Sequence, residues 1–165
     1  MKVAREDRGS IWLGVAGVVV NNRGEWLVVK KRYGGLHGRW SFPAGFVNKD
    51  ETVDEAVCRE VLEETGVVCT VQKMIGFRSG VIQHKISDNM AIFLLSPKEE
   101  APILQAQLSE LYEVKWVHPN DLLVDKDASV MIRELAQNTM NSGFMKIEGI
   151  NPGDIFGYNS YKLFF

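Results

Sequence analysis

Gly45-Phe46-Val47-Asn48-Lys49-Asp50-Glu51, then Thr52 to Cys58, then Arg59-Glu60-Val61-Leu62-Glu63-Glu64-Thr65-Gly66-Val67: the reading of this chain turns on that stretch. Thr52 and Glu55 stand at the two positions of a capping box, where each side chain covers a backbone N–H at the start of a helix. Gly66 suits the left-handed turn that closes one. The spacing therefore predicts a helix from about Val53 to Thr65. At ~100° per residue, Val53, Ala56 and Val57 share a stripe with Glu60, Glu63 and Glu64. The stripe is apolar in its first half and acidic in its second, where core residues would otherwise continue. Like charges at these spacings repel by roughly a few tenths of a kcal/mol each, and carboxylates near a helix C-terminus oppose its dipole. Arg59 relieves this locally through Glu55 or Glu63. A hard divalent cation with oxygen ligands would relieve it directly. The plainer reading, a solvated acidic face, is outweighed by the Gly, Glu, Arg and Gly placed across the whole span.

Those positions follow the pattern G-x5-E-x7-R-E-U-x-E-E-x-G-U, with U an aliphatic residue, and the chain there resembles the Nudix hydrolases at every fixed position. The resemblance implies an α/β/α sandwich with a mixed sheet, the catalytic helix following the box loop. It implies Mg²⁺, or Mn²⁺, and hydrolysis of a nucleoside diphosphate linked to another moiety. Divalent ions would neutralise the diphosphate oxygens and lower the pKa of a bound water. Carried over position by position, Glu60, Glu63 and Glu64 are implied metal ligands, with the Gly45 carbonyl as a further one. Arg59 is implied to orient the carboxylates, with Glu51 either joining it or serving as a turn residue. A fourth carboxylate often comes from a later loop in this family. Here Glu110 and Glu113 both qualify, and Glu110, on the expected loop, is favoured.

Composition sets the bounds. The chain has 165 residues, enough for one well-buried domain and too few for two ordinary ones. A net charge of −2 gives no footprint for nucleic acid or a membrane surface. Cys58 and Cys69 fit no metal spacing and are expected to be buried free thiols in a reducing compartment. The apolar run 11–20 is short and broken by glycines, so neither a membrane span nor a signal peptide is expected. The expectation is a cytoplasmic protein.

Outward from the box, residues 1–10 read as a flexible segment, 11–140 as the folded domain and 141–165 as a C-terminal extension. Residues 11–20 and 25–32 read as the strands of a hairpin around the turn 21–24. Further strands are expected at 67–77, 90–95 and 112–117, and a second helix at 127–138 with Val130, Met131, Leu135 and Asn138 inward. The tail suggests short strands at 144–147 and 161–165 around Asn151-Pro152-Gly153-Asp154. Its terminal Phe164 and Phe165 call for cover, from their own domain or from a second subunit, and a homodimer contact is favoured.

For a nucleotide-type small-molecule substrate, Arg32 and Arg39 are candidates for the phosphates, and Phe46 and Tyr33 for stacking a base. Trp40 and Phe42 would either stack or belong to the core. His84, in the expected loop 80–85, is a candidate acid, base or donor, although an ordinary exposed histidine is the commoner case. His37 and His118 read as structural. Ala44-Gly45-Phe46-Val47 looks like NADH pyrophosphatases, whose downstream Ser-Gln-Pro-Trp-Pro-Phe-Pro signature is absent. The stretch from Phe77 to Met90 is similar to the plant ADP-ribose/NADH Nudix branch and its animal growth-factor-antisense relatives. ADP-ribose and NADH are therefore the first substrates to test. The rivals are a MutT-like nucleoside triphosphate pyrophosphatase and a non-catalytic nucleotide-sensing module.

Overall fold

The computed structural model describes residues 9–138, 146, 147 and 149–165. The expected flexible segment at 1–10, apart from its last two residues, and the expected strand start at Phe144 lie outside the described residues. Among the described residues nine strands and three α-helices follow in chain order: β1 (Ile11–Val19), β2 (Trp26–Lys31), β3 (Trp40–Ser41), β4 (Ala44–Phe46), α1 (Val53–Thr65), β5 (Cys69–Ile82), β6 (Ile86–Pro97), β7 (Leu111–Val117), α2 (Pro119–Val124), α3 (Val130–Gln137), β8 (Lys146–Ile147) and β9 (Tyr158–Phe164).

Two sheets form. One has the order β4-β1-β6-β5-β9-β8, the other β3-β2-β7. The β1–β6 pair is parallel and the remaining ladders are antiparallel, so the large sheet is mixed. β1 alternates its side chains between two cores. Ala16 and Val18 join Met131, Ile132 and Leu135 of α3, whereas Val15 and Val19 join Ala56, Val57 and Val61 of α1. Its near-continuous apolar run is the pattern of a strand covered on both faces. Helices on opposite faces of a mixed sheet give the expected α/β/α sandwich.

The expected 11–20/25–32 hairpin does not form. β1 and β2 flank the expected turn but belong to different sheets, meeting at a bridge between Val20 and Trp26 and at the Asn21 N–H, which donates to the Glu25 carbonyl at 3.1 Å. β6 occupies one edge of β1 along its whole length, and β4 takes the middle of the other. β2 instead pairs with β3 and β7.

β5 and β6 run further than expected and form one long hairpin, its turn made by Gln83 and His84 at positive φ. Polar residues hide its far end from a hydropathy reading. Cross-strand pairs hold it: Arg78 Nη2 donates to Asp88 Oδ2 at 2.7 Å and Ser79 Oγ to Asn89 Oδ1 at 2.7 Å.

α2, with Pro119 at its first turn and His118 as its N-cap, is too short to show a helical period and was not expected. α3 starts later than expected, capped by Ser129, because Ala128 bridges to Trp40. Ile132 faces inward and Asn138 outward, the reverse of the expectation for Asn138. Trp40 and Phe42 are core.

The tail is absorbed by its own chain. β9 pairs with β5 over Phe77–Ile82 and Phe164–Tyr158, and Phe165 packs against the α3-side core. Phe165 thus finds cover within its own chain. Among the described residues no helix is long and apolar enough to cross a membrane. Cys69 is buried and Cys58 half-buried, both as free thiols.

Candidate functional site

α1 begins and ends where its caps place it. Thr52 and Glu55 form the capping box, with Thr52 N–H donating to Glu55 Oε2 at 2.9 Å, and Gly66 closes the helix at φ 75°. Ala56, Val57 and Val61 anchor its inner face. That anchoring fixes where the three box glutamates fall. The side chain of Glu64 is only 2% exposed, that of Glu60 is 14% exposed, and that of Glu63 is 51% exposed.

Arg59 ties the box together. Its Nε and Nη2 grip both oxygens of Glu51 at 2.8 and 2.6 Å, and its Nη1 meets Glu60 at 2.7 Å and Glu63 at 3.3 Å. Nη2 also donates to the Phe46 carbonyl at 3.0 Å, which fastens the box loop to the helix. Glu51 meets Arg59 and also stands in the turn, where its Oε1 accepts the Asn48 N–H at 2.8 Å. The guanidinium holds the Glu51 carboxyl below the usual range, and Glu51 in turn raises the pKa of Arg59.

Burial acts in the opposite direction on the inner carboxylates. It raises Glu60 despite the opposing Arg59 charge, and pushes Glu64 up to about 7 despite Lys31. Lys31 Nζ lies 2.5 Å from Glu64 Oε1, and the Ala44 N–H donates to Oε2 at 3.4 Å. Gly45 leaves space for Glu60: a Cβ there would come within 2.1 Å of its carboxyl carbon. Ladder bonds from Gly17 N–H to the Pro43 carbonyl and from Val47 N–H to the Leu13 carbonyl put Gly45 and Val15 in the same hydrogen-bonding phase. The Gly45 carbonyl therefore faces β1, and the contribution of Gly45 to this cluster is its missing side chain.

Buried oxygen donors that resist ionisation, with limited cationic cover, suit a hard divalent ion. As they stand, these carboxylates turn to Arg59 and Lys31 rather than to one shared point. Among the described residues no three His, Cys, Asp or Glu side chains are gathered closely enough to hold an ion. Loading would require Glu60 and Glu63 to exchange Arg59 for the metal.

The other expected site residues are dispersed. Glu110 is exposed in the turn before β7, its carbonyl accepting the Arg32 N–H at 2.8 Å; the next residue, Leu111, is in register with Lys31. Glu113 is exposed on β7 opposite Lys30. The Arg32 guanidinium stacks over Tyr112 at 4.5 Å, and Arg39 donates to the Lys126 carbonyl at 2.8 Å. The Phe46 ring meets Trp12 edge-on at 5.5 Å and lines a cavity on the face of the large sheet turned to α3. His84 sits at the β5–β6 turn, exposed, its N–H donating to Asn159 Oδ1, and the structure does not bring it to the box. Lys31, Ala44 and Trp12 were not foreseen. The Lys30-Lys31-Arg32 run closing an apolar strand was the available signal for Lys31.

The NUDIX domain, as a sequence family, matches residues 11–137 of this chain. Nudix hydrolase 8 of Arabidopsis thaliana is 35% identical over 108 residues, which cover 64% of this chain and 29% of that protein. The chain thus spans less than a third of that relative's length. Among solved structures, the MutT protein of Methanosarcina mazei Go1 aligns with a TM-score of 0.64 at 22% identity, covering 79% of this chain and 93% of that one. The NUDIX domain of Shewanella oneidensis NrtR, complexed with ADP ribose, aligns with a TM-score of 0.60 at 21% identity, covering 76% and 86%.

Proposed function

Since this chain belongs to the Nudix family, we propose that it hydrolyses the pyrophosphate linkage of a nucleoside diphosphate joined to another moiety, with a divalent metal held at the α1 glutamates. One observation carries the reading. All the box carboxylates are present, Glu64 is buried, and Glu60 is half-buried where the missing side chain of Gly45 leaves it room. Burying carboxylates without full compensation is costly, and a solvated acidic face would not need it.

Glu60, Glu63 and Glu64 would hold the ion. Bound there, Mg²⁺ or Mn²⁺ would supply charge neutralisation at the diphosphate and acidify a water. The chain's own residues do the rest. Arg59 and Glu51 fix the helix to the box loop, so that the helix would keep its place while Glu60 and Glu63 turn from Arg59 to the metal. Glu64 Oε2, held by the Ala44 N–H and with burial raising its proton affinity, is the oxygen best suited to take a proton from the attacking water. Glu110 makes no described contact with this cluster and is the second choice for that role.

A substrate panel with Mg²⁺, headed by ADP-ribose and NADH and including nucleoside triphosphates, tests the proposal beside Glu63→Gln and Glu64→Gln. The expected result is cleavage of a diphosphate derivative by the unaltered protein and loss of at least a hundredfold in each variant. Absence of any cleavage, or equal cleavage by the variants, would favour the nucleotide-sensing reading. Preference for triphosphates would favour the MutT-like one.

A further inference from the structure

Residues 151–156, in the tail beyond the NUDIX match, form a strap that borders two open spaces. Pro152 and Phe156 line the cavity of about 190 Å³ that Trp12, Phe46 and Asp88 also line. Residues 151–155 line a neighbouring cleft of about 430 Å³, together with Arg39 and Arg133. Both ends of the strap are fixed. Ile150 packs against the α3-side core, and the Gly157 carbonyl accepts the Gln83 N–H at 2.9 Å. Just beyond, the Tyr158 hydroxyl donates to Asp88 Oδ2 and the His84 N–H to Asn159 Oδ1. Between these anchors the described hydrogen bonds stay local. The Gly153 N–H donates to Asn151 Oδ1 at 2.9 Å, and the Gly157 N–H to the Asp154 carbonyl at 3.2 Å. Gly149 and Gly157, at φ 77° and 65°, turn the chain at either end in a conformation that glycine adopts without strain. A segment with firm ends and no hydrogen bond to the body between them opens at low free energy.

One ring seats the strap on the body. A Cβ at Gly35 would come within 2.1 Å of Phe156 Cε2 and 2.2 Å of its Cζ, and the third nearest atom, at 2.7 Å, belongs to the same ring. Gly35 lies in a single turn of 3-10 helix, Gly34–Leu36, between β2 and β3. Its φ is not positive, so its backbone would carry a side chain without strain. The Phe156 ring is thus what glycine at 35 makes room for. The contact is apolar, so breaking it leaves no hydrogen-bonding group unmet.

We infer that the strap is a lid over the cavity, latched by Phe156 on Gly35, and that it lifts to let substrate in and product out. The cleft on which it also borders gives it room to move. The cavity it covers adjoins the box, because the Phe46 ring lines it while the Phe46 carbonyl is bonded to Arg59. Opening that requires only one apolar contact to break, with both ends held, is local and leaves the sheet intact. The inference rests on the proposed hydrolysis and adds a gate to it, made from the tail rather than from the matched domain.

The test places a thiol under the lid. Ser41, on β3, is 3% exposed and lines the cavity, so Ser41→Cys reports its opening. Labelling of the full chain by N-ethylmaleimide is followed site by site by mass spectrometry in native buffer. The thiol of Ser41→Cys should react roughly tenfold faster than Cys69, because the lid opens without the fold. Gly35→Ala and Phe156→Ala, each added to Ser41→Cys, should speed it by about a further tenfold and leave Cys58, which packs on the α1-side core, unchanged. Val130→Cys, lining the same cavity from α3, gives the reading if Ser41→Cys does not fold. Reaction no faster than that of Cys69, or a rate that neither strap variant raises, overturns the lid. An equal rise at Cys58 overturns it too, since the whole fold would then have loosened. With the substrate that the Mg²⁺ panel selects, Gly35→Ala should raise KM about fivefold or more, and an unchanged KM would overturn the gating of substrate. The labelling reads no turnover, so its failure is separate from failure of the hydrolysis proposal.

Discussion

Arg59 grips Glu51 with two nitrogens at 2.6 and 2.8 Å across eight residues of sequence, and the same guanidinium reaches the Phe46 carbonyl at 3.0 Å. A planar fork is needed to serve a carboxylate and a carbonyl at once, and lysine cannot reproduce it. Arg59→Lys should therefore lower hydrolysis by roughly ten- to a hundredfold and cost about 1–3 kcal/mol of stability. Turnover and urea melts on the same preparation check this; unchanged values in both would show that the fork is ornamental.

Gly45→Ala separates site from fold. The added methyl meets the end of the Glu60 side chain rather than backbone, so the carboxylate swings away cheaply. The melting midpoint should move by less than about 1 kcal/mol in stability, whereas activity should fall at least tenfold. A crystal structure of the variant with Glu60 in its original place would contradict the account.

Glu64 sets a pH dependence in the metal-free protein. Burial raises its folded pKa from 4.5 to about 7, so between those values the folded state binds the more protons. Stability from this group is then full below about 4.5 and is lost as the pH rises through 7. Denaturant melts in chelator should show this decline, and Glu64→Gln should flatten it. A variant that declines as steeply as the unaltered chain would place the titration elsewhere.

Chelation should abolish activity while leaving a cooperative thermal transition and unchanged far-ultraviolet circular dichroism. The two cores are built from apolar residues on both faces of the large sheet, and Glu60, Glu63 and Glu64 are not among them. Loss of the fold in chelator would make the ion structural instead.

Cys69 should be inert. Burial pushes its thiol up to about 12, so almost no thiolate exists at pH 8. Labelling by a disulfide reagent should be slow in the native protein and fast in urea. Rapid native labelling at Cys69 would mean that the α1-side core opens readily.

The box helix was legible because everything that defines it is local: Thr52 and Glu55 at one end, Gly66 at the other, and apolar residues at helical spacing between. Strand positions were legible for the same reason in β1 and β7. What failed were pairings. The turn 21–24 reads as a hairpin, yet the edges of β1 were already claimed by β4 and β6, a competition that no local pattern records. The far end of β5 and β6 was missed because its register is held by polar pairs, and α2 because six residues hold too few turns for a period.

The sequence by itself determined an acidic helix, its caps, and the arginine that serves its carboxylates, since helix geometry fixes which residues at spacings of three and four meet. Only the tertiary structure decided how deep each glutamate sits, that Lys31 meets Glu64, and that Trp12, Phe46, Asp88 and Tyr158 enclose one cavity. Those contacts join positions far apart in the chain, and burial and strand register, which no short stretch of sequence encodes, bring them together.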